Sequence, residues 1–177
     1  MAATTQLTIE DFERLPAEQA KNHELVDGEL VDVSGNTFEH NDFRDLLICR
    51  LTPFQGAGKL VSEQEYDFAG NAHGPDLSYI GPAKRSPIDR KRRVQRFVPD
   101  LAIEIVSRND TFESLLRKKE RYRASGVDEV WIVSMEAEEF LVYSIRGNRI
   151  LKGADKLESE LLPGFSVAIS ELYAGIA

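Results

Sequence analysis

Cysteine is nearly absent: Cys49 is the only one among 177 residues. A single cysteine forms no intramolecular disulfide and supplies no thiolate-rich zinc site. Long apolar runs are missing as well. No stretch approaches the ~20 consecutive apolar residues a spanning helix needs, so no membrane partner is expected. Residues 1–6 hold no basic segment followed by an apolar one, so no signal peptide is expected. Together these absences make a cytoplasmic location the expectation. Repeats, low-complexity segments and linkers are also lacking, and 1–177 reads as a single domain long enough for a real core.

Basic residues are in the minority, 22 Lys and Arg against 30 Asp and Glu, for a net charge of −8. That balance argues against a nucleic-acid partner. The distribution qualifies it. Residues 84–96 carry seven basic residues and one acid, a local charge of +6 that leaves −14 for the rest. At the centre of this segment stand Arg90, Lys91, Arg92 and Arg93. A segregated basic loop is either a phosphate footprint or a solvated surface, and the sequence leaves both open.

What is present is an α/β pattern. Thr8 and Asp11 have capping-box spacing ahead of Phe12 and Leu15, which predicts a short helix ended by Pro16. Residues 23–33 read as a hairpin around Asp27-Gly28. Phe43, Leu46, Leu47, Leu51 and Phe54 recur at helical intervals, with either Asn41 or Asp42 as cap or a start that lies earlier. Residues 59–68 read as one strand, 70–74 as a turn and 76–80 as the next strand. Residues 111–125 read as a helix capped by Thr111 and closed by Gly126, with Phe112, Leu115, Leu116 and Tyr122 on one face. Strands follow over 129–135, 140–145 and 149–151, with a strand end or short helix over 167–172. The strand–helix–strand unit over 99–135 implies a parallel crossover.

The chemical signal lies in residues 98–107, Val-Pro-Asp-Leu-Ala-Ile-Glu-Ile-Val-Ser. Apolar, β-branched residues dominate, so this strand is expected to be buried on both faces. Asp100 and Glu104 nevertheless sit in it, on the same face. An ionised carboxylate there is costly unless paired, hydrogen-bonded or bound to a metal. Asp100, after Pro99, reads as a structural strand opening. Glu104 reads as functional. Two more acids sit at strand starts: Glu24 opens the first hairpin strand, and Asp76 follows Gly74-Pro75. Each, taken alone, is also readable as a surface or turn residue. Carboxylate oxygens suit Mg²⁺, and carboxylates with a lysine suit phosphodiester hydrolysis. The lysine would come from helix 111–125, where Lys118 lies at the edge of the apolar stripe and Lys119 near its centre, although on the residues alone Arg117, Lys118, Lys119, Arg121 and Arg123 read better as a solvated basic helix.

These residues together resemble the Uma2-type restriction endonucleases of the PD-(D/E)xK nuclease superfamily. The resemblance runs through His23-Glu24-Leu25-Val26-Asp27-Gly28-Glu29, His40, Gly74-Pro75-Asp76-Leu77 and residues 99–107. It continues through Lys118 with Tyr122, residues 126–131 and Leu162-Pro163-Gly164-Phe165. It implies a restriction-endonuclease-like core, a central mixed β-sheet flanked by helices with the active site at a sheet edge. It implies Mg²⁺ (or Mn²⁺) and DNA as partner; double-strand cutting would favour a homodimer, and the sequence leaves the oligomeric state open. Carried over, Asp76 and Glu104 match the metal ligands, Lys118 the lysine, and Glu24 an additional acid. Two departures stand out: Gly74, with His73 before it, replaces a commonly basic residue, and Lys119 competes with Lys118. Val106 stands where the superfamily's lysine normally lies. The expected activity is metal-dependent DNA cleavage. The alternative is a catalytically weak or inactive member that binds DNA or protein through the same fold.

Overall fold

The innermost strand is the one the sequence marks most strongly. In a computed structural model that describes residues 6–33, 35–108 and 110–176, Leu101–Ile105 is buried at every position. The first five residues lie outside the described ones. In chain order the elements are α1 (Ile9–Arg14), α2 (Ala17–Ala20), β1 (His23–Val26), β2 (Glu29–Asp32) and α3 (Phe38–Leu51). Then come β3 (Lys59–Ser62), β4 (Glu65–Phe68), β5 (Asn71–His73), β6 (Leu77–Ile80), β7 (Val94–Gln95) and β8 (Leu101–Ile105). The chain continues with α4 (Phe112–Ala124), β9 (Glu129–Ser134), β10 (Glu139–Ser144), β11 (Gly147–Lys152), β12 (Lys156–Glu158), β13 (Ser166–Ala168) and α5 (Ile169–Tyr173).

A six-stranded sheet, order β11-β10-β9-β8-β6-β3, forms the centre. It is mixed: β8 and β9 run parallel, joined through α4, and its other pairs are antiparallel. Beside it lies a five-stranded sheet, order β2-β1-β5-β4-β7. Strand alternation in β8 sorts its side chains. Leu101, Ile103 and Ile105 join the core built with Phe43, Leu47 and Leu51 of α3 and with Trp131 and Phe140. Ala102 joins Tyr122 of α4 and Tyr66 and Phe68 of β4 on the other side. Each such fully buried side chain contributes on the order of 1.5–3 kcal/mol. Glu104, two residues beyond Ala102, points to the α4 side.

The predicted caps hold at α1 and α4. Thr8 and Asp11 form a reciprocal capping box, and Thr111 accepts from the Ser114 N–H. Four sequence expectations change. Thr37, not Asn41 or Asp42, caps α3. Residues 59–68 are two strands in two sheets, broken where Glu63 turns to φ 52°. The expected turn over 70–74 contains β5. Phe112 is exposed, because as the first residue of α4 it projects beyond the core that buries Leu115 and Tyr122.

Candidate active site

Four elements and one loop residue, drawn from both sheets and two helices, meet at one place. β1 brings Glu24, β8 brings Glu104, α3 brings His40 and α4 brings Lys118 and Tyr122. Asp76 stands just before β6. The sequence calls for these carboxylates and Lys118, and the structure brings them together on one cavity of about 540 Å³.

Lys118 is the pivot. Its Nζ lies 3.1 Å from Glu24 Oε1 and 3.2 Å from Glu104 Oε2. Burial alone would strip its proton, but the charges of Glu104 and Glu24 outweigh burial and hold the ammonium well above the ordinary lysine range. Lys119 goes elsewhere: its Nζ sits 4.7 Å from the centre of the Tyr143 ring and pairs with Glu120.

The two glutamates share this ammonium but differ sharply. Glu24 meets three donors: Gly74 N–H at 3.0 Å and Lys118 on Oε1, and His73 Nδ1 at 2.8 Å from Oε2. Burial opposes its ionisation, yet Lys118, His73 and Gly74 hold its carboxyl down at about 2. Glu104 receives the Tyr122 hydroxyl at 2.5 Å on Oε1. Burial pushes its carboxyl up to about 8; Lys118 opposes this, while the charges of Asp76 and Glu24 add to it.

Asp76 accepts the Ile105 N–H at 2.7 Å on Oδ2. Its Oδ1 lies 3.3 Å from His40 Nε2, which also lies 3.1 Å from the Ile105 carbonyl. Both neighbours are acceptors, so Nε2 carries the ring proton. His40 Nδ1 is buried with no hydrogen-bond partner.

A divalent cation fits this donor set. Each ionised carboxylate has about four acceptor positions. Asp76, and Glu104 once its proton is lost, therefore keep capacity facing the shared cavity. Among the described residues, no three His, Cys, Asp or Glu side chains form a ready-made cage. Mg²⁺ ordinarily takes one or two carboxylates plus waters and substrate phosphate, and Asp76 with Glu104 would supply two. The charge balance points the same way: nine Asp and Glu line the cavity against three Lys and Arg.

The basic segment lies apart, since none of residues 84–96 lines the cavity. Arg93 forms a two-pronged pair with Glu65, both contacts 2.6 Å, and lies 4.2 Å from the centre of the Phe12 ring. Arg92 pairs with Glu13, Arg96 with Glu10, Glu13 and Asp67, and Lys84 with Asp100. Arg90 and Lys91 have no side-chain partner among the described residues. Asp100 keeps the structural role expected of it, accepting the Gly81 N–H at 2.5 Å.

Two contributors escape a sequence reading. His73 looks like a turn residue and Arg121 like one of five basic residues on a solvated helix. Their signal is spatial, because β5 places one behind Glu24 and α4 places the other behind His73.

No protein among those curated for function matches the chain. A solved structure that matches is that of "a putative nuclease belonging to DUF820" from Anabaena variabilis. It superposes with a TM-score of 0.80 over 97% of this chain and 99% of that one, at 18% identity, which establishes a shared fold. The profile of the Uma2 family, described as "Putative restriction endonuclease", matches residues 9–170. With that profile matching nearly the whole length, the chain belongs to the Uma2 family.

Proposed function

We propose that this protein is a divalent-metal-dependent nuclease that hydrolyses DNA phosphodiester bonds. The convergence of Glu24, Asp76, Glu104 and Lys118 from separate elements onto one cavity carries this reading. Asp76 and Glu104 would hold Mg²⁺ or Mn²⁺. When bound, the cation supplies charge neutralisation for the phosphate and acidity for a coordinated water. Lys118 is held as an ammonium, so it donates to phosphate or water oxygens and stabilises developing negative charge rather than acting as a base. Glu24 orients that ammonium. Tyr122 orients Glu104, and His40 with the Ile105 N–H orients Asp76. An acid-rich cavity repels phosphate, which makes the cation a requirement for substrate entry.

The test is a cleavage assay on plasmid and single-stranded DNA with Mg²⁺, Mn²⁺ or EDTA. Cleavage is expected with either cation and not with EDTA. It is expected to disappear in a folded Asp76→Ala or Glu104→Ala variant. Cleavage retained by the highly purified double variant overturns the site assignment. DNA binding without cleavage by the wild-type protein makes the chain a binding module.

A further inference from the structure

The contacts that hold Lys118 do not end at Glu24. Behind Glu24 lies His73, only 3% exposed. Behind His73 lies Arg121, three residues after Lys118 on α4. Arg121 Nη1 is 3.1 Å from His73 Nε2, and Nη2 is 2.8 and 3.1 Å from the two Asp27 oxygens in the β1–β2 turn.

A guanidinium has five donors and no acceptor. His73 Nε2 must therefore present its lone pair to Arg121. The proton of the neutral ring then sits on Nδ1, which donates to Glu24 Oε2 at 2.8 Å. A doubly protonated ring would set an N–H against a guanidinium N–H. The ring is also wedged between aromatic neighbours, with centroids 5.9 Å from Phe68 and 5.8 Å from Tyr122.

We propose that Arg121 and His73 are positioning residues for Lys118: Arg121 fixes the His73 tautomer, His73 orients Glu24, and Glu24 holds the ammonium beside Glu104. The catalytic consequence rests on the nuclease reading above; the tautomer does not. The side chain of Arg121 is 20% exposed, and its fork is divided between His73 and Asp27, so it is not a solvated helix residue. The relay also spans the two sheets. It ties the turn of the five-stranded sheet to the helix that follows β8, and so sets the spacing between Glu24 and Lys118. Burial keeps His73 below the ordinary histidine range, and the nearby Lys118 and Arg121 charges oppose the pull of Glu24 in the same sense.

Long-range proton–nitrogen spectra of histidine-labelled protein, without metal or DNA, test the relay directly. At neutral pH the wild type should show His73 with a bare Nε2 and a protonated Nδ1. A protonated Nε2 overturns the proposal without any variant. In Arg121→Met, Nε2 should gain a proton as pH falls through the ordinary histidine range. In cleavage assays Arg121→Met should lower kcat by about 10–100-fold with KM for DNA unchanged, the usual cost of losing an outer support. His73→Asn places an amide N–H near the position of Nδ1–H and should recover most of the kcat that His73→Leu loses. Equal losses in the two His73 variants, or an unchanged kcat in Arg121→Met, overturn the positioning role. A wild-type protein that cleaves no DNA overturns the nuclease reading alone, and the spectra still decide the relay.

Discussion

Glu24 and Glu104 share one ammonium and sit at opposite ends of the carboxylate range, and this difference has consequences for stability. Glu24 drops from 4.5 to about 2 on folding. Its contribution is present above 4.5 and is lost as pH falls toward 2. Glu104 rises from 4.5 to about 8, so the folded protein binds its proton more tightly than the unfolded chain does. That contribution is complete below 4.5 and is lost as pH rises through 8. In EDTA, the urea midpoint of the wild type should therefore fall between pH 5 and 8. Glu104→Gln keeps a neutral side chain and should flatten the fall; equal slopes in the two proteins contradict this. A second expectation separates the lysines. Lys118→Met leaves two buried carboxylates without their cation, a loss of roughly 3–5 kcal/mol in stability, and it should abolish cleavage. Lys119→Met should cost less and leave cleavage intact, because its partner Glu120 is exposed and its ammonium lies against the Tyr143 ring rather than on the cavity. Denaturation curves and the plasmid assay on both variants check this. Glu104 was legible from sequence because a carboxylate in an apolar strand demands a partner. His73 and Arg121 were not, because nothing local marks a residue whose role is to orient another.

At the level of elements, the hairpin that carries Glu24 depends on its turn. Asp27 and Gly28 adopt φ 51° and 82°, the pair of positive values a two-residue hairpin loop requires. The Gly28 carbonyl also accepts the Leu7 N–H at 2.9 Å, which brings the N-terminal segment across the turn. A Cβ on Gly28 would lie 2.5 Å from Gln6 Cβ. Gly28→Ala should therefore lower stability by roughly 1–3 kcal/mol through strain and contact together. A chemical denaturation curve that superposes on the wild type contradicts this. The hairpin, α4 and β8 were legible because each carries a local signature: Asp-Gly, a Thr cap with a closing glycine, and a β-branched run. The division of 59–68 between two sheets carries none. Tyr66 and Phe68 read as continuing a strand with Leu60 and Val61, and only Glu63 at positive φ, a conformation with no composition signal, separates them. β5 and β12 have three residues each, too short for periodicity to register.

For the molecule as a whole, charge is the open quantity, because on the proposed nuclease reading a chain of net −8 with an acid-rich cavity has to meet a polyanion. The basic segment 84–96 is the largest reserve of positive charge, and most of it is spent internally. Arg92, Arg93 and Arg96 bind acids of α1 and β4, which fastens the N-terminal helix to the five-stranded sheet. Sequence shows a cluster of seven positive charges but not their partners, which lie up to 86 residues away. Arg90 and Lys91, left without side-chain partners among the described residues, are the pair we expect to contact DNA phosphate. Losing two phosphate contacts reduces the slope of log affinity against log salt by about 1.8 on duplex DNA. The double variant Arg90→Gln/Lys91→Gln should show that reduction with an unchanged denaturation midpoint. Arg93→Gln should show the reverse, a lower midpoint with the wild-type slope, because its charge is committed to Glu65. Filter binding across a salt series, with Mg²⁺ replaced by Ca²⁺ to prevent cleavage, measures both. An unchanged slope in the double variant makes the segment a solvated surface and moves the DNA footprint to the cavity rim, where Arg117 is the exposed cation.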